Sequence, residues 1–288
     1  MKVPLHIVQA RRERLAQIIE QHRYLPVKEL CGRLGVSEAT LRRDLAALVR
    51  EKKITRTYGG ALHEFNDRFP SFRERQSQAS RGKAKAVKPA LAFFEPNRTY
   101  FFDSGTTIFA LAEAFRDHPV TPVTIVTSNL PVGEMLASIP GVQVFQLAGQ
   151  LLHLQSTLLG ETAQKSLEFW NFDVAFLSTE GMDAQGLWNS QAAIVAQQKV
   201  VLRRSTRTVF CIDGSKLNRQ APFFLLPWDQ VDILLTDLPD EKLIRGGIHL
   251  TESQRAANFS SEIPAEKRPD PASPSESSND GEYPIHIL

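Results

Sequence analysis

Between residues 11 and 50 apolar positions recur every three or four residues, while beyond residue 98 they come in short unbroken runs separated by helix-like stretches. The first spacing is that of helices with one buried stripe; the second is that of strands covered on both faces. Leu15, Ile18 and Ile19 mark one helix. Pro26 opens a second with Val27, Leu30, Cys31 and Leu34 on one face, and Gly35 stops it. Ser37 is placed to cap a third, "SEATLRRDLAALVREK", with a stripe of Leu41, Leu45 and Leu48 and an opposite face of Ala39, Thr40, Arg42, Arg43 and Ala47. In "KITRTYGGAL" β-prone residues flank a glycine pair, which predicts a hairpin. Three helices and a hairpin in this order make a winged helix-turn-helix, over residues 1–62.

Residues 63–82 are polar with few strand or helix signals and read as a linker into a helix around Lys83 to Phe94. Strands follow near Thr99–Phe102, Val123–Thr127, Val142–Leu147, Phe172–Ser178, Thr208–Ile212 and Val231–Leu235. Helices alternate with them near Thr107–Arg116, Pro131–Ser138, Glu161–Trp170, Ala192–Ser205 and Asp240–Arg245. The expectation for residues 83–252 is an open, mostly parallel α/β sheet. From 253 to 288 the chain is rich in Ser, Pro and acid, a composition that predicts disorder.

Composition narrows the setting. With 42% hydrophobic residues the chain folds, yet it has no apolar run near the ~20 residues a membrane span requires and no long apolar stretch at its start. A cytoplasmic protein without a membrane partner is expected. Two cysteines, Cys31 and Cys211, sit in apolar patterns far apart, so neither a disulfide nor a metal site is indicated. Charge is unevenly spread. Residues 1–62 hold thirteen Lys and Arg against six acids, or +7, residues 252–288 hold three against seven, or −4, and the net +2 leaves the middle at −1. A basic head implies a polyanionic partner, and an anion site in the middle must be local.

Two places carry chemistry. On the third helix a capping Ser37, Thr40, the pair Arg42 and Arg43 and small alanines suit a recognition helix in the major groove, with Lys53, Arg56, Thr57 and Tyr58 of the hairpin on the backbone or minor groove. A solvated face would explain two arginines as well. In "TYFFDSGTTIFALAEAF", residues 99–115, a buried strand runs through a small-residue turn into a helix. The first N–H groups of a helix lack partners and carry the positive end of its dipole, so such a turn suits an anion. Gly105 permits close approach, and Ser104, Thr106 and Thr107 add hydroxyls. The same stretch is also read as a plain helix cap by Ser104 or Thr106.

"VSEATLRRDLAALVREKKITRTYGGAL" resembles the N-terminal domain of the DeoR family of bacterial transcriptional regulators; "FFDSGTT", "TSNL", "LAG", "DVAFLSTEGMDAQG" and "IDGSK" resemble its C-terminal effector domain. The resemblance spans roughly residues 10–250 in family order. It implies a repressor of a sugar catabolic operon whose second domain is similar in fold to ribose-5-phosphate isomerase, binds a phosphorylated sugar or related metabolite, and uses no cofactor. It also implies a homo-oligomer. Carried over, Ser104, Gly105, Thr106 and Thr107 match the family's phosphate loop and Asp103 precedes it. Lys216 supplies charge, and Asp213 orients it or a sugar hydroxyl. Thr127, Ser128, Asn129 and Gly149 lie just beyond strand ends, where open α/β sheets bind ligands, and Lys199 faces the same pocket. "TSNL", "LAGQ" and "AAIVAQQK" depart from the family pattern, the last lacking an acid usual a few residues before Lys199.

The rival is an isomerase-like enzyme fused to a DNA-binding domain. Such an isomerase requires a paired-acid loop, which "FLSTEGMD" does not provide, and "DSGTT" lacks the second acid of an aspartyl phosphatase. No Gly-x-x-x-x-Gly-Lys-Ser/Thr run for ATP is present. A DNA-architectural protein would leave the phosphate loop without a use.

Overall fold

The computed structural model describes residues 4–22, 24–51, 54–57, 60–63 and 71–255; Lys53, Tyr58, residues 64–70 of the expected linker and the tail from 256 onward lie outside the described residues. Helices α1 (Leu5–His22), α2 (Val27–Leu34) and α3 (Glu38–Arg50) enclose Leu15, Ile19, Leu30, Leu41, Leu45 and Leu48, all buried. Gly35, at φ +63°, ends α2, and the Val36 N–H reaches back 3.2 Å to the Cys31 carbonyl. A short strand β1 (Tyr24–Pro26) precedes α2, and β2 (Ile54–Thr57) and β3 (Gly60–His63) form the wing, in the antiparallel order β1-β3-β2. Buried Asp44 on α3 accepts Nε hydrogen bonds from Arg11 (2.6 Å) and Arg12 (3.0 Å) of α1, tying the two helices together with charge. One residue of the expected outer face is misplaced: Ala47 is buried beside Leu48. The periodic stripe is wider than Leu41, Leu45 and Leu48 alone, so the open face narrows to Ala39, Arg42, Arg43 and part of Thr40.

The expected linker is folded from Ser71 onward. Ser71 and Glu74 form a capping box on α4 (Phe72–Ser77), and α5 (Ser80–Val87) continues into a 3₁₀ stretch, Lys88–Phe93. Phe72 is buried edge-on against Phe109, 5.4 Å between ring centres. Polar composition concealed these helices because only one side of each is packed.

After them come β4 (Thr99–Phe102), α6 (Thr106–Asp117), β5 (Val123–Thr127), α7 (Leu130–Leu136) and β6 (Val142–Gln146), then a hairpin of β7 (Gln150–Leu152) and β8 (Thr157–Leu159). Next are α8 (Glu161–Leu167), β9 (Phe172–Leu177), β10 (Gly181–Asp183), β11 (Gly186–Asn189), α9 (Ala192–Arg203), β12 (Ser205–Cys211), β13 (Phe223–Leu226), β14 (Ile233–Leu235) and α10 (Asp240–Arg245). Six strands form one parallel sheet, β14-β12-β9-β4-β5-β6. The two-residue period sends Tyr100, Phe102 and Phe176 to one face, where Phe94 and Phe115 join them, and Phe101, Leu177 and Phe210 to the other, against α9 and α10. Each face is a core, which is why these strands read as unbroken apolar runs. Cys211 is inside this sheet and Cys31 half-buried on α2. A small antiparallel sheet, β10-β11-β13, flanks the large one. No helix among the described residues is long and apolar enough to cross a membrane.

Candidate functional site

The sheet order reverses between β4 and β9: from β4 the chain proceeds to β5 and β6 on one side, and from β9 to β12 and β14 on the other. At such a switch point the loops leaving neighbouring strands diverge and open a crevice at their carboxyl ends. A pocket lies there, floored by Ser104, Gly105, Thr106 and Thr107 after β4 and walled by Ser178, Thr179 and Glu180 after β9. Gln155, Asn189, Ser190, Ile194, Lys216 and Arg75 complete it.

Gly105 is the N-cap of α6 and holds φ +104°, a backbone state that L side chains rarely adopt. No side-chain oxygen caps this helix, so the alternative in which Ser104 or Thr106 acts as the cap is not realised. Asn129 steadies the turn from the side: its Nδ2 donates to the Gly105 carbonyl (3.3 Å) while its Oδ1 accepts from Val132 N and caps α7. Thr127 Oγ1 donates to the Phe102 carbonyl (2.7 Å) and accepts from Asn129 N. Thr127, Ser128, Asn129 and Gly149 do not line the pocket. The first and third brace the loop, Ser128 is buried, and Gly149 packs on the Leu159 carbonyl.

Asp103 joins the two loops. Its carboxylate accepts from Ser104 N (2.7 Å), Ser178 N (3.3 Å) and Gln198 Nε2 (2.6 Å), and Gln198 in turn accepts from Asn189. Burial pushes the Asp103 carboxyl up to about 6, with the Gln198 and backbone N–H bonds pulling the other way. Its oxygens are committed to protein donors, so its part is to set the loop's shape.

Lys216 is carried by a one-turn helix, Gly214–Lys216, which Asp213 caps by accepting from Ser215 N (3.1 Å). The Lys216 ammonium lies 3.3 Å from Glu180 Oε1, which also receives Arg219 at 2.8 Å. Lys199 is a correction. It is exposed on α9 and lines a different, largely apolar groove with Trp188, Phe223 and Phe224, because α9 turns Ile194 inward at the pocket and position 199 falls on another face.

Arg75, Gln155 and the Ser178–Glu180 wall were missed. The rule that ligands gather beyond strand ends, applied to "FLSTEG" as it was to "TSNL", would have found Ser178–Glu180. Gln155 and Arg75 arrive from a hairpin turn and from α4, and carry no local signal. Gln155 Nε2 is buried without a hydrogen-bond partner. The pocket therefore combines a glycine-started helix terminus, six hydroxyls, a lysine, an arginine and a spare amide donor, against one carboxylate. Such a donor set suits an oxyanion.

In the N-terminal helical domain, Ser37 Oγ accepts from Thr40 N (3.4 Å) and caps α3. Arg42 and Arg43 are exposed on the same helix, Arg42 paired with Glu38 one turn back. Arg56 and Thr57 lie in β2 of the wing.

Residues 11–66 match the DeoR-like helix-turn-helix domain and residues 78–238 the DeoR C terminal sensor domain. The chain is 28% identical over 231 residues to the putative aga operon transcriptional repressor of Escherichia coli O157:H7, covering 79% of this chain and 85% of that protein. It is 26% identical over 238 residues to the lactose phosphotransferase system repressor of Staphylococcus aureus (strain NCTC 8325 / PS 47), covering 81% and 94%. Among solved structures, ribose 5 phosphate isomerase A from Neisseria gonorrhoeae aligns at 19% identity and a TM-score of 0.36 over 49% of this chain and 55% of that one.

Proposed function

Because the chain belongs to the DeoR family of DNA-binding transcriptional regulators, we propose that it represses a sugar catabolic operon and is released from its operator by a phosphorylated sugar or related metabolite bound at the β4–β9 crevice. The observation that carries this reading is the N-terminus of α6. It has no side-chain cap, faces a pocket with Lys216 and a spare Gln155 amide, and starts on a glycine that leaves room for a ligand. Ser104 to Thr107 cradle the phosphate, Lys216 leaves Glu180 to meet its charge, and the Asp103–Gln198–Asn189 chain keeps both loops in register. The names of the relatives, repressors of an aga operon and of a lactose transport system, support a sugar-derived effector.

The head reads the operator through α3: Arg43 and Arg42 at base edges or phosphates, with Thr40 and the Ser37 cap positioning the helix start, and Arg56, Thr57, Lys53 and Tyr58 on the flanking backbone. A homo-oligomer in the cytoplasm would present two such heads to paired half-sites.

The test is a titration of the protein–operator complex with sugar phosphates. Thr106→Ala and Lys216→Ala should each blunt release while leaving ligand-free operator affinity unchanged. Loss of the charged partner costs on the order of 2 to 4 kcal/mol of effector binding, and loss of the hydroxyl about 1 kcal/mol. If both variants release at the wild-type concentration, the crevice is not the effector site.

A further inference from the structure

Arg75 stands at an unusual place in the chain. It lies on α4, the first helix described after the wing strand β3, yet its side chain reaches the wall of the pocket formed by loops 30 to 140 residues further on. Two interactions hold it there. Its guanidinium carbon sits 5.9 Å from the centre of the Phe72 ring, and Phe72 is buried against α6, the helix whose N-terminus floors the pocket. From behind, the Lys83 ammonium of α5 donates to the carbonyls of Arg75 and of Gln78 (2.6 Å), locking the α4–α5 turn.

Burial lowers the Arg75 pKa from its ordinary value, and Glu180 works in the opposite direction. Glu180 is a single carboxylate already engaged by Lys216 and Arg219. Lys216 and Arg219 pair with Glu180, and Arg75 feels the same carboxylate, beside a helix terminus that favours negative charge, so a dianion entering the crevice meets all three cations.

We propose that Arg75 is a phosphate ligand of this pocket, and that through it the effector fixes α4, the helix by which the chain enters the sensor domain from its DNA-binding head. This rests on the crevice being the anion site proposed above. The planar fork of Arg75 binds two phosphate oxygens where Lys216 supplies a point charge, and Glu180 is the counter-ion that the phosphate replaces. The connector to the head then leaves a rigid helix when effector is bound and a looser one when it is not.

The experiment uses the full chain with inorganic phosphate and with glucose 6-phosphate as probes and has two readouts. Tryptophan fluorescence during heating reports the sensor domain, where Trp170, Trp188 and Trp228 all lie. Brief trypsin treatment with mass analysis reports cutting after exposed Arg73 of α4. In the wild type a probe raises the melting temperature and slows cutting at Arg73 at least fivefold. Arg75→Gln should raise the half-effect concentration tenfold or more and abolish the protection even at saturation. Glu180→Gln, which leaves Arg75 in place, should lower the half-effect concentration severalfold. A responsive wild type with an Arg75→Gln variant that shifts and protects at the same concentrations overturns this proposal alone, as does an unchanged half-effect concentration in Glu180→Gln. A wild type that responds to neither probe overturns the anion-site reading and this proposal with it.

Discussion

Asp44→Ala should unfasten the DNA-binding head without disturbing the sensor. The buried carboxylate accepts at 2.6 Å from Arg11 and 3.0 Å from Arg12, joining α1 to α3. A hydrogen bond to a charged group contributes about 1.5 to 3 kcal/mol. The arginines keep 19% and 32% of their side chains in contact with solvent, so water takes over part of the loss and the lower end applies to each, giving about 3 kcal/mol in all. Among the described residues the head's separate core holds six fully buried aliphatic side chains, a small reserve against such a loss. For a domain this size 1 kcal/mol moves the melting temperature by roughly 4 to 8 °C, so a drop of more than ~10 °C is expected. All three tryptophans belong to the sensor, so the change is silent in their fluorescence; ellipticity at 222 nm, which α1, α2 and α3 share, shows it. Arg33→Ala, which breaks the exposed i,i+4 pair with Glu29, is the control and should cost only about 0.3 to 0.5 kcal/mol. Ellipticity midpoints for the two variants within roughly 2 °C of each other would refute the reasoning.

Arg43→Ala should weaken operator binding by about 1 to 3 kcal/mol and relax sequence preference, whereas Lys53→Ala should weaken all DNA alike and flatten the salt dependence; equal specificity ratios for the two variants in competition binding would contradict this. Asp103 binds its proton more tightly folded than unfolded, with a folded value of about 6 against 3.8. Its contribution to sensor stability is therefore full below about pH 4, falls by about 3 kcal/mol as pH rises to about 6, and is flat above that. Urea unfolding followed by tryptophan fluorescence from pH 4 to 7 should show this slope in the wild type relative to Asp103→Asn, and parallel curves would rule it out.

The large sheet was legible because "TYFF" and "FDVAFL" are apolar on both faces, a pattern only a doubly covered strand produces. The short strands β10, β11 and β13 run for only three or four residues, too few for a period to register. The pocket-lining turn Ser104–Thr107 was readable from its glycine and hydroxyls next to a strand end. Arg75 was not, since its place beside Glu180 in the pocket brings together residues more than a hundred positions apart. Lys199 failed for a related reason: helical phase near the pocket is set by Ile194, and five residues later the face has turned away.

The strand order also sets a timetable for synthesis. β4 lies at the centre of the sheet, yet its neighbour β9 is translated 70 residues after β4 ends, and Lys216 later still. At elongation rates of roughly 5 to 20 residues per second, β4 waits several seconds on the ribosome for that partner. The head, whose core among the described residues spans positions 15 to 49, is complete long before. Each new molecule thus passes through a stage in which it holds a finished DNA-binding surface but has no means of hearing the metabolite, and a message broken between the two coding regions would leave it permanently deaf.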